Sequence, residues 1–414
     1  MERMGKKSIQ ERLAILSDAA KYDASCASSA TTKRDSAGKE GIGSTNGHGI
    51  CHAYAPDGRC ISLLKILMTN FCIYDCAYCI NRVSSNVERA RFTPEEVIDL
   101  TLEFYRRNYI EGLFLSSGII KSPDETMRDM VRIARDLRHV HQFRGYIHLK
   151  TIPDASPELI DEAGIWADRV SINIELPTDA GVKQYAPEKD PDTIRQAMAR
   201  TRLKREEYEE KSFTGRKKGR FAPAGQSTQL IVGADGAGDG AILRNSSRLY
   251  GSYGLKRVYY SAFSPIPDSS AALPLVSPPL MREHRLYQAD WLLRFYEFQA
   301  DELTQGDDAM LDLDIDPKLS WAIAHRERFP VNLARATREE LLRVPGLGTK
   351  TVDRLVVLRR HKSPRYDDLI KLGANLKSAA PFIETIDWHP GMMLDAQNLR
   401  ARFAPKAEQL NLFA

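Results

Sequence analysis

No stretch of about 18 apolar residues occurs in this 414-residue chain, so no segment has the length and hydrophobicity of a membrane-spanning helix. The opening residues, MERMGKKSIQERLAILSD, lack the apolar core of a secretory signal, and export is not expected. Cysteine is scarce, six in all. A chain that stays in a reducing compartment gains little from a disulfide framework, so these thiols are expected to serve metal binding or redox chemistry in a cytoplasmic protein without a membrane partner. Internal repeats are also missing, apart from an alternation of strand-like and helix-like segments.

What is present is ordinary in bulk: 43% hydrophobic and 28% charged residues, the composition of a globular protein. The length suits two or three domains, or one large α/β barrel with an appendage. The net charge of +4 is unevenly placed. Residues 326–377 hold 13 Lys or Arg against 6 Asp or Glu, a surplus of +7 that leaves −3 for the remainder. A second basic block, RTRLKREEYEEKSFTGRKKGR, lies at 200–220. A single block of this kind reads as a solvated face, whereas a domain-sized surplus points to a polyanionic partner.

Residues 8–21 read as a short amphipathic helix and 25–49 as a Ser/Thr/Gly/Ala-rich loop. Six apolar runs then follow at 63–69, 112–117, 145–150, 169–176, 228–233 and 257–263. Helical patterns separate them at 93–107, 122–139, 156–164, 190–210 and 238–254, with Thr93 and Ser122 placed as N-caps. Strands alternating with helices imply parallel βαβ units, wound into either a doubly wound sheet or a partial barrel. A Pro/Ser-rich connector at 264–279 ends the alternation, a long helix is expected from about Met281 to Leu303, and a helical, basic segment follows from Asp314.

Half of the cysteines fall in NFCIYDCAYCINR: Cys72, Cys76 and Cys79, spaced C-x3-C-x2-C in a loop after the first strand. Three thiolates on an iron–sulfur cubane leave one iron open to a substrate or cofactor. Structural zinc is the alternative, but it needs four ligands and would have to recruit Cys60 or His52.

With Tyr78 ahead of the last cysteine, this motif in a chain of βα repeats resembles the radical S-adenosylmethionine (SAM) superfamily over about residues 60–265. The resemblance implies a partial barrel of six βα units whose three cysteines hold a four-iron–four-sulfur cluster. The amino and carboxylate groups of SAM would chelate the fourth iron, and an electron from a donor such as flavodoxin or ferredoxin would cleave SAM to a 5′-deoxyadenosyl radical. LSSGI at 115–119 resembles the turn that takes the methionine amino group, which nominates Ser117 and Gly118. The superfamily more often has Gly-Gly-Glu there. SINIE at 171–175 places Ser171, Asn173 and Glu175 on one strand face, matching the strand that meets ribose and carboxylate; solvent-facing alternation is the bland alternative. QLIVG and YYSAF resemble the segments bordering adenine, and Gln229 joins the SAM set. Cys26, Cys51 and Cys60 either hold an auxiliary cluster or pack as small hydrophobes.

TREELLRVPGLGTKTVDRLVVLRR at 337–360 is the other pronounced signal. It resembles a helix-hairpin-helix, whose Gly-rich turn offers backbone N–H groups to phosphate, and nominates Pro345, Gly346, Gly348, Thr349 and Lys350 as DNA contacts. Residues 366–383 resemble a degenerate partner hairpin around Gly373. A hairpin serving packing alone is the alternative.

The expected fold class is thus α/β, a partial (βα)6 TIM-like barrel followed by an all-α helix-hairpin-helix domain. The expected segments are a lead-in (1–60), the barrel (61–265), a connector (266–325), the hairpin domain (326–390) and a tail (391–414). Together the modules resemble a bacterial family of radical SAM proteins assigned to DNA modification or repair. The competing readings are a radical enzyme on RNA, protein or a small molecule with a tethering DNA-binding domain, and a non-enzymatic, zinc-stapled nucleic-acid-binding protein.

Overall fold

The computed structural model describes residues 7–20, 50–54, 60–210, 219–267 and 270–405. These divide into two compact units. A barrel unit takes the described residues up to Gly236 together with Arg248–Pro278, and a helical unit takes Ala237–Ser247 with the residues from Pro279 onward.

The barrel unit is built on one seven-stranded sheet whose strands lie side by side in chain order. They are β1 (Ile50–Tyr54), β2 (Cys60–Leu67), β3 (Gly112–Ser116), β4 (Tyr146–Lys150), β5 (Arg169–Ser171), β6 (Gln226–Val232) and β7 (Arg257–Ala262). β1 pairs antiparallel with β2, and every later pair is parallel. The sheet curls: Phe114, His148, Ser171, Gln229 and Tyr259, from five different strands, line one small cavity on its inner side. Its outer face buries Leu64, Ile66, Leu113, Leu115, Ile147 and Leu149 against helical residues such as Val97, Met130 and Leu137 in one apolar core. Alternation along each strand then turns Lys65, Phe114 and His148, which are register neighbours, toward the inner face. The outer row is apolar, while the inner row mixes Phe114 with the polar Lys65 and His148 and so brings polar groups to the interior.

Helices α1 (Ile9–Ala19), α2 (Pro94–Arg106), α3 (Pro123–His139), α4 (Pro157–Trp166), α5 (Asp179–Tyr185) and α6 (Pro191–Glu209) accompany the sheet, and α7 (Asp239–Tyr253) follows β6. Local sequence explains where several of them begin. Ser8 with Glu11 and Thr93 with Glu96 form reciprocal capping boxes, the Ser122 hydroxyl accepts from the Glu125 N–H, and Pro94, Pro123 and Pro191 occupy the first turn without sacrificing a hydrogen bond. α1 buries Leu16 in the sheet–helix core and is clamped by a two-pronged Arg12–Glu96 pair at 2.6 and 2.7 Å.

Six strands coincide with the six apolar runs. β1 and α5 were not anticipated, and the expected 169–176 strand leaves the ladder after Ser171, touching β6 again only through the Glu175–Leu230 bridge.

The helical unit contains α8 (Leu280–Phe295), α9 (Ala300–Leu303), α10 (Pro317–Ala324), α11 (Arg338–Arg343), α12 (Thr349–Leu358), α13 (Tyr366–Leu372) and α14 (Leu376–Ala379). The single helix expected over 281–303 is two, interrupted where Glu297 adopts a left-handed φ of 62°. A parallel pair of two-residue strands, β8 (Val331–Asn332) and β9 (Ile383–Glu384), was also unforeseen. Leu292, Phe298 and Ile315 from the expected connector, and Leu394 and Leu399 from the expected tail, are buried with the helices in a single core. Apolar periodicity at those leucines outweighs the connector-like composition around them.

α11 starts at a Thr337–Glu340 capping box, and the chain turns through 344–348 into α12. Gly346 has φ 79°, and a Cβ there would lie 2.4 Å from the Asn375 carbonyl. The Asn375 N–H in turn donates to the Gly346 carbonyl at 2.9 Å, and the Thr351 hydroxyl donates to Leu372 at 3.2 Å. The turn before α12 and the turn before α14 are therefore locked to one another.

Candidate cluster and cofactor site

The three-cysteine loop leaves β2 at the C-terminal rim of the parallel strands, where binding loops of such sheets gather. Thr69 and Asn70 anchor its start. The Thr69 hydroxyl donates to the Ala90 carbonyl at 3.0 Å, and the Asn70 amide accepts from the Ala90 N–H and donates to the Glu88 carbonyl. One guanidinium, Arg89, donates to the carbonyls of Asn70, Asn81, Arg82 and Ser85, tying the two ends of the loop together. The Ile73 N–H donates to the Ile119 carbonyl at 2.9 Å and the Ala77 N–H to the Tyr185 carbonyl at 2.7 Å. Gly118 lies directly beneath the loop: its N–H reaches the Thr69 carbonyl at 2.8 Å, and a Cβ would stand 2.3 Å from the Phe71 carbonyl.

This loop roofs a cavity of about 180 Å³. Cys72, Cys76 and Cys79 line it together with Tyr78, Ser117, Gly118, Asn173, Glu175 and Gln229. Of the residues expected to hold cluster or SAM, only Ser171 does not; it lines a small adjoining cavity deeper in the barrel, beside Asn173 and Gln229. Lys150, Asp154, Tyr74 and Lys189 complete the wall, and none of these was foreseen.

The electrostatics centre on Glu175. It is buried, its φ is 68°, and it forms a salt bridge with Lys189 at 2.5 Å. Burial alone would push the Lys189 pKa down, but the charge of Glu175 and the adjacent thiols outweigh it and hold the ammonium protonated. The Tyr78 hydroxyl is buried toward Glu175; burial first, and the carboxylate second, raise its pKa. Tyr74 donates to Asp154 at 3.2 Å, and burial shifts the Asp154 carboxyl upward. Burial likewise pushes the Cys76 thiol up to about 12 and raises Cys79. Such thiols become thiolates only when a cation binds them.

These residues fit an iron–sulfur cluster better than a single ion. Among the described residues no three His, Cys, Asp or Glu side chains gather closely enough to ligate one ion. Zinc requires its ligands at roughly 2.0–2.3 Å from one point, whereas a cubane spreads its thiolates over separate irons. Three convergent thiols with carboxylate, amide and ammonium groups opposite them suit a cluster plus a zwitterionic cofactor. The cluster would be held by Cys72, Cys76 and Cys79 and would supply the electron that cleaves the SAM sulfonium.

The remaining cysteines do not converge in this way. Cys51 pairs across the ladder with Leu63 and Cys60 with Tyr54, an odd offset along β2, so the two side chains leave opposite faces of the sheet. Cys51 packs beside Ile61, Leu63 and Phe114, while Cys60 is exposed. Cys26 lies outside the described residues. His52 is exposed on β1.

The hairpin residues fall into two sets. Pro345 is buried and Gly346 is closed in by Asn375 and Ala379, which makes both packing elements. Gly348 and Thr349 are half-buried and Lys350 is exposed at the start of α12, where Gly348 caps the helix without a side-chain hydrogen bond.

The residues missed by sequence reasoning had little local signal. Lys189 sits in YAPEKD, a turn-like stretch fourteen positions beyond Glu175, and only the α5 excursion returns it to the cavity. Arg89 lies in a polar run after the motif, with no pattern marking it as a staple.

Among the described residues, no helix is long and apolar enough to cross a membrane. Residues 66–205 match the family model of the Radical SAM superfamily. No curated protein matches the chain. Among solved structures, it is similar to HydG, a maturase of the FeFe-hydrogenase, at 14% identity over 55% of this chain and 48% of that one, with a TM-score of 0.42. HydG from Carboxydothermus hydrogenoformans gives 13% identity over 55% and 50% of the two chains, with a TM-score of 0.42. Methylornithine synthase (PylB) gives 14% identity over 53% and 60%, with a TM-score of 0.40. In each case the match spans less than two thirds of the other protein. The cysteine loop, much of the polar cavity wall and the family match thus fall on one stretch of chain, and residues 66–205 form a radical SAM domain.

Proposed function

We propose that the chain is a radical SAM enzyme and that it acts on DNA, in modification or repair, with the hairpin of the helical unit as its DNA contact. The observation that carries the reading is the corner at Gly348, Thr349 and Lys350, where the first two are half-buried and the lysine is exposed. The first amides of α12 are free of side-chain caps there, and the corner lies within a segment carrying a surplus of +7. Amides at a helix start and a nearby ammonium suit phosphate, which is present at every step of a DNA strand. Lys350 and Arg354 lie one turn apart on α12, both exposed and neither in an ion pair among the described residues. Lys377 stands at the corresponding place, the second residue of α14, after a second left-handed glycine, Gly373, with φ 85°. Two similar turns, locked together, each carry a lysine on the following helix.

In the barrel, Ser117 and Gly118 are assigned to the SAM amino end, Asn173 and Glu175 to its ribose and carboxylate side, and Gln229 to the adenine edge. Ser171 supports this row from one level below. A base stacked in a duplex is out of reach of a barrel interior, so the target must be single-stranded, damaged or flipped out. An auxiliary cluster is not part of the proposal, because Cys51 and Cys60 diverge.

The test is a salt titration of DNA affinity. Lys350→Ala is expected to weaken binding about equally across sequences and to reduce the salt slope by about one. Affinity that ignores both salt and Lys350 would make the hairpin a packing element. Anaerobic incubation with SAM, reductant and panels of damaged DNA, followed by mass spectrometry of the nucleosides, would then identify the product.

A further inference from the structure

The helical unit carries a second cavity, of about 350 Å³, which shares only Lys377 with the proposed cluster, SAM and hairpin contacts. Its walls are aromatic and cationic. Tyr366 and Trp388 stack with ring centroids 4.3 Å apart and planes at 28°, and the Trp388 indole N–H donates to the Ala380 carbonyl at 3.1 Å, which fixes the ring. Phe403 adds an apolar wall, and Lys377 and Arg402 add charge. Both cations are exposed, neither forms an ion pair among the described residues, and no described carboxylate lines the cavity.

This combination narrows the ligand. An apolar peptide would leave two cations without a counter-ion, and an acidic peptide would leave the ring stack unused. A flat aromatic group bearing an adjacent anion uses both, and a nucleotide is that group. The position agrees. Lys377 belongs to α14, and the next residue, Ser378, lies against the hairpin glycine Gly346, so the element lining this cavity also packs on the proposed phosphate-binding turn.

We propose that the cavity takes an unstacked base of a DNA strand, with the flanking phosphate on Lys377 and Arg402. The inference rests on the DNA reading above and sharpens it: the protein distinguishes strands with an accessible base from intact duplex. A base in a matched duplex is already stacked on both faces and gains nothing from this cavity.

The experiment measures affinity of the full-length chain, by fluorescence anisotropy, for a single strand of about 20 nucleotides and for a matched hairpin duplex. Trp388→Ala is expected to weaken single-strand binding roughly tenfold and duplex binding less than about twofold, whereas Trp388→Phe keeps most of the single-strand affinity. Lys377→Ala and Arg402→Ala alter exposed side chains and should each weaken the single strand severalfold, so they carry the test if Trp388→Ala does not fold. Equal losses on both DNAs, or no loss on either, would overturn the cavity assignment and leave the hairpin contact standing. A wild-type chain that binds neither DNA overturns the DNA reading itself.

Discussion

Glu175 combines two costs, a left-handed backbone and a buried carboxylate. A non-glycine residue is held in that conformation only when its surroundings over-determine it. Here the Lys189 ammonium and the backbone contacts to Gln229 and Ile231 do so. Removing one member of a buried pair leaves the other uncompensated, at about 3–5 kcal/mol. Lys189→Met should therefore lower the urea midpoint, and Lys189→Met combined with Glu175→Leu should recover much of it. SAM affinity should behave differently. Losing a hydrogen bond to a charged group costs roughly 10- to 150-fold, so the double variant should be stable yet bind SAM weakly in equilibrium dialysis. Recovery of both properties would make the pair structural only. That the three cysteines, Asn173 and Glu175 face one cavity was legible at this scale from the motif and from the alternation of SINIE, although the strand itself ends at Ser171. Lys189, Arg89 and the Tyr74–Asp154 pair were not, since each acts across a distance in sequence that only the folded chain closes.

The buried Lys318 shows how an element carries its own pH sensitivity. It projects from α10, donates to the Leu347 carbonyl at 2.7 Å and lies 4.6 Å from the Tyr296 ring centroid. Burial is the main cause that pushes its pKa down to about 7, with Arg343 adding to the shift and Asp316 opposing it. An unfolded lysine titrates near 10.4, so between about 7 and 10 the unfolded chain binds a proton that the folded chain does not. Stability contributed at this site therefore rises with pH through that window and is level below it. Chemical denaturation at pH 7 and pH 9 should show a smaller pH difference for Lys318→Met than for the wild type. An identical difference would place the ammonium in a wetter setting than its burial implies. Elements with strong periodicity and caps, such as α2 and α3, were legible to within two residues. Short or interrupted elements were not. β1 is five residues of mixed polarity, and the α8–α9 break depends on one left-handed glutamate.

At the scale of the whole molecule, two proposed chemistries occupy separate stretches of chain: the cysteines and the cavity assigned to SAM before residue 232, and the basic turn assigned to phosphate after residue 336. Loss of one should spare the other. Cys76→Ala is expected to abolish reductive SAM cleavage and the visible absorption of the reconstituted cluster while leaving DNA affinity within about twofold of wild type, since no proposed phosphate contact involves it. Formation of 5′-deoxyadenosine at the native rate would remove Cys76 from the cluster.

The seven-stranded sheet has a further consequence. Among the described residues β1 and β7 are its two margins and are not hydrogen-bonded to each other, so the described ladder does not encircle the lumen. Widening that gap would break no described strand pair. A sealed ring must be threaded from a free end, but a ring with a gap can be laid over the middle of a strand. For a polymer whose ends lie thousands of units away, or that has none, only the second arrangement makes every interior position reachable.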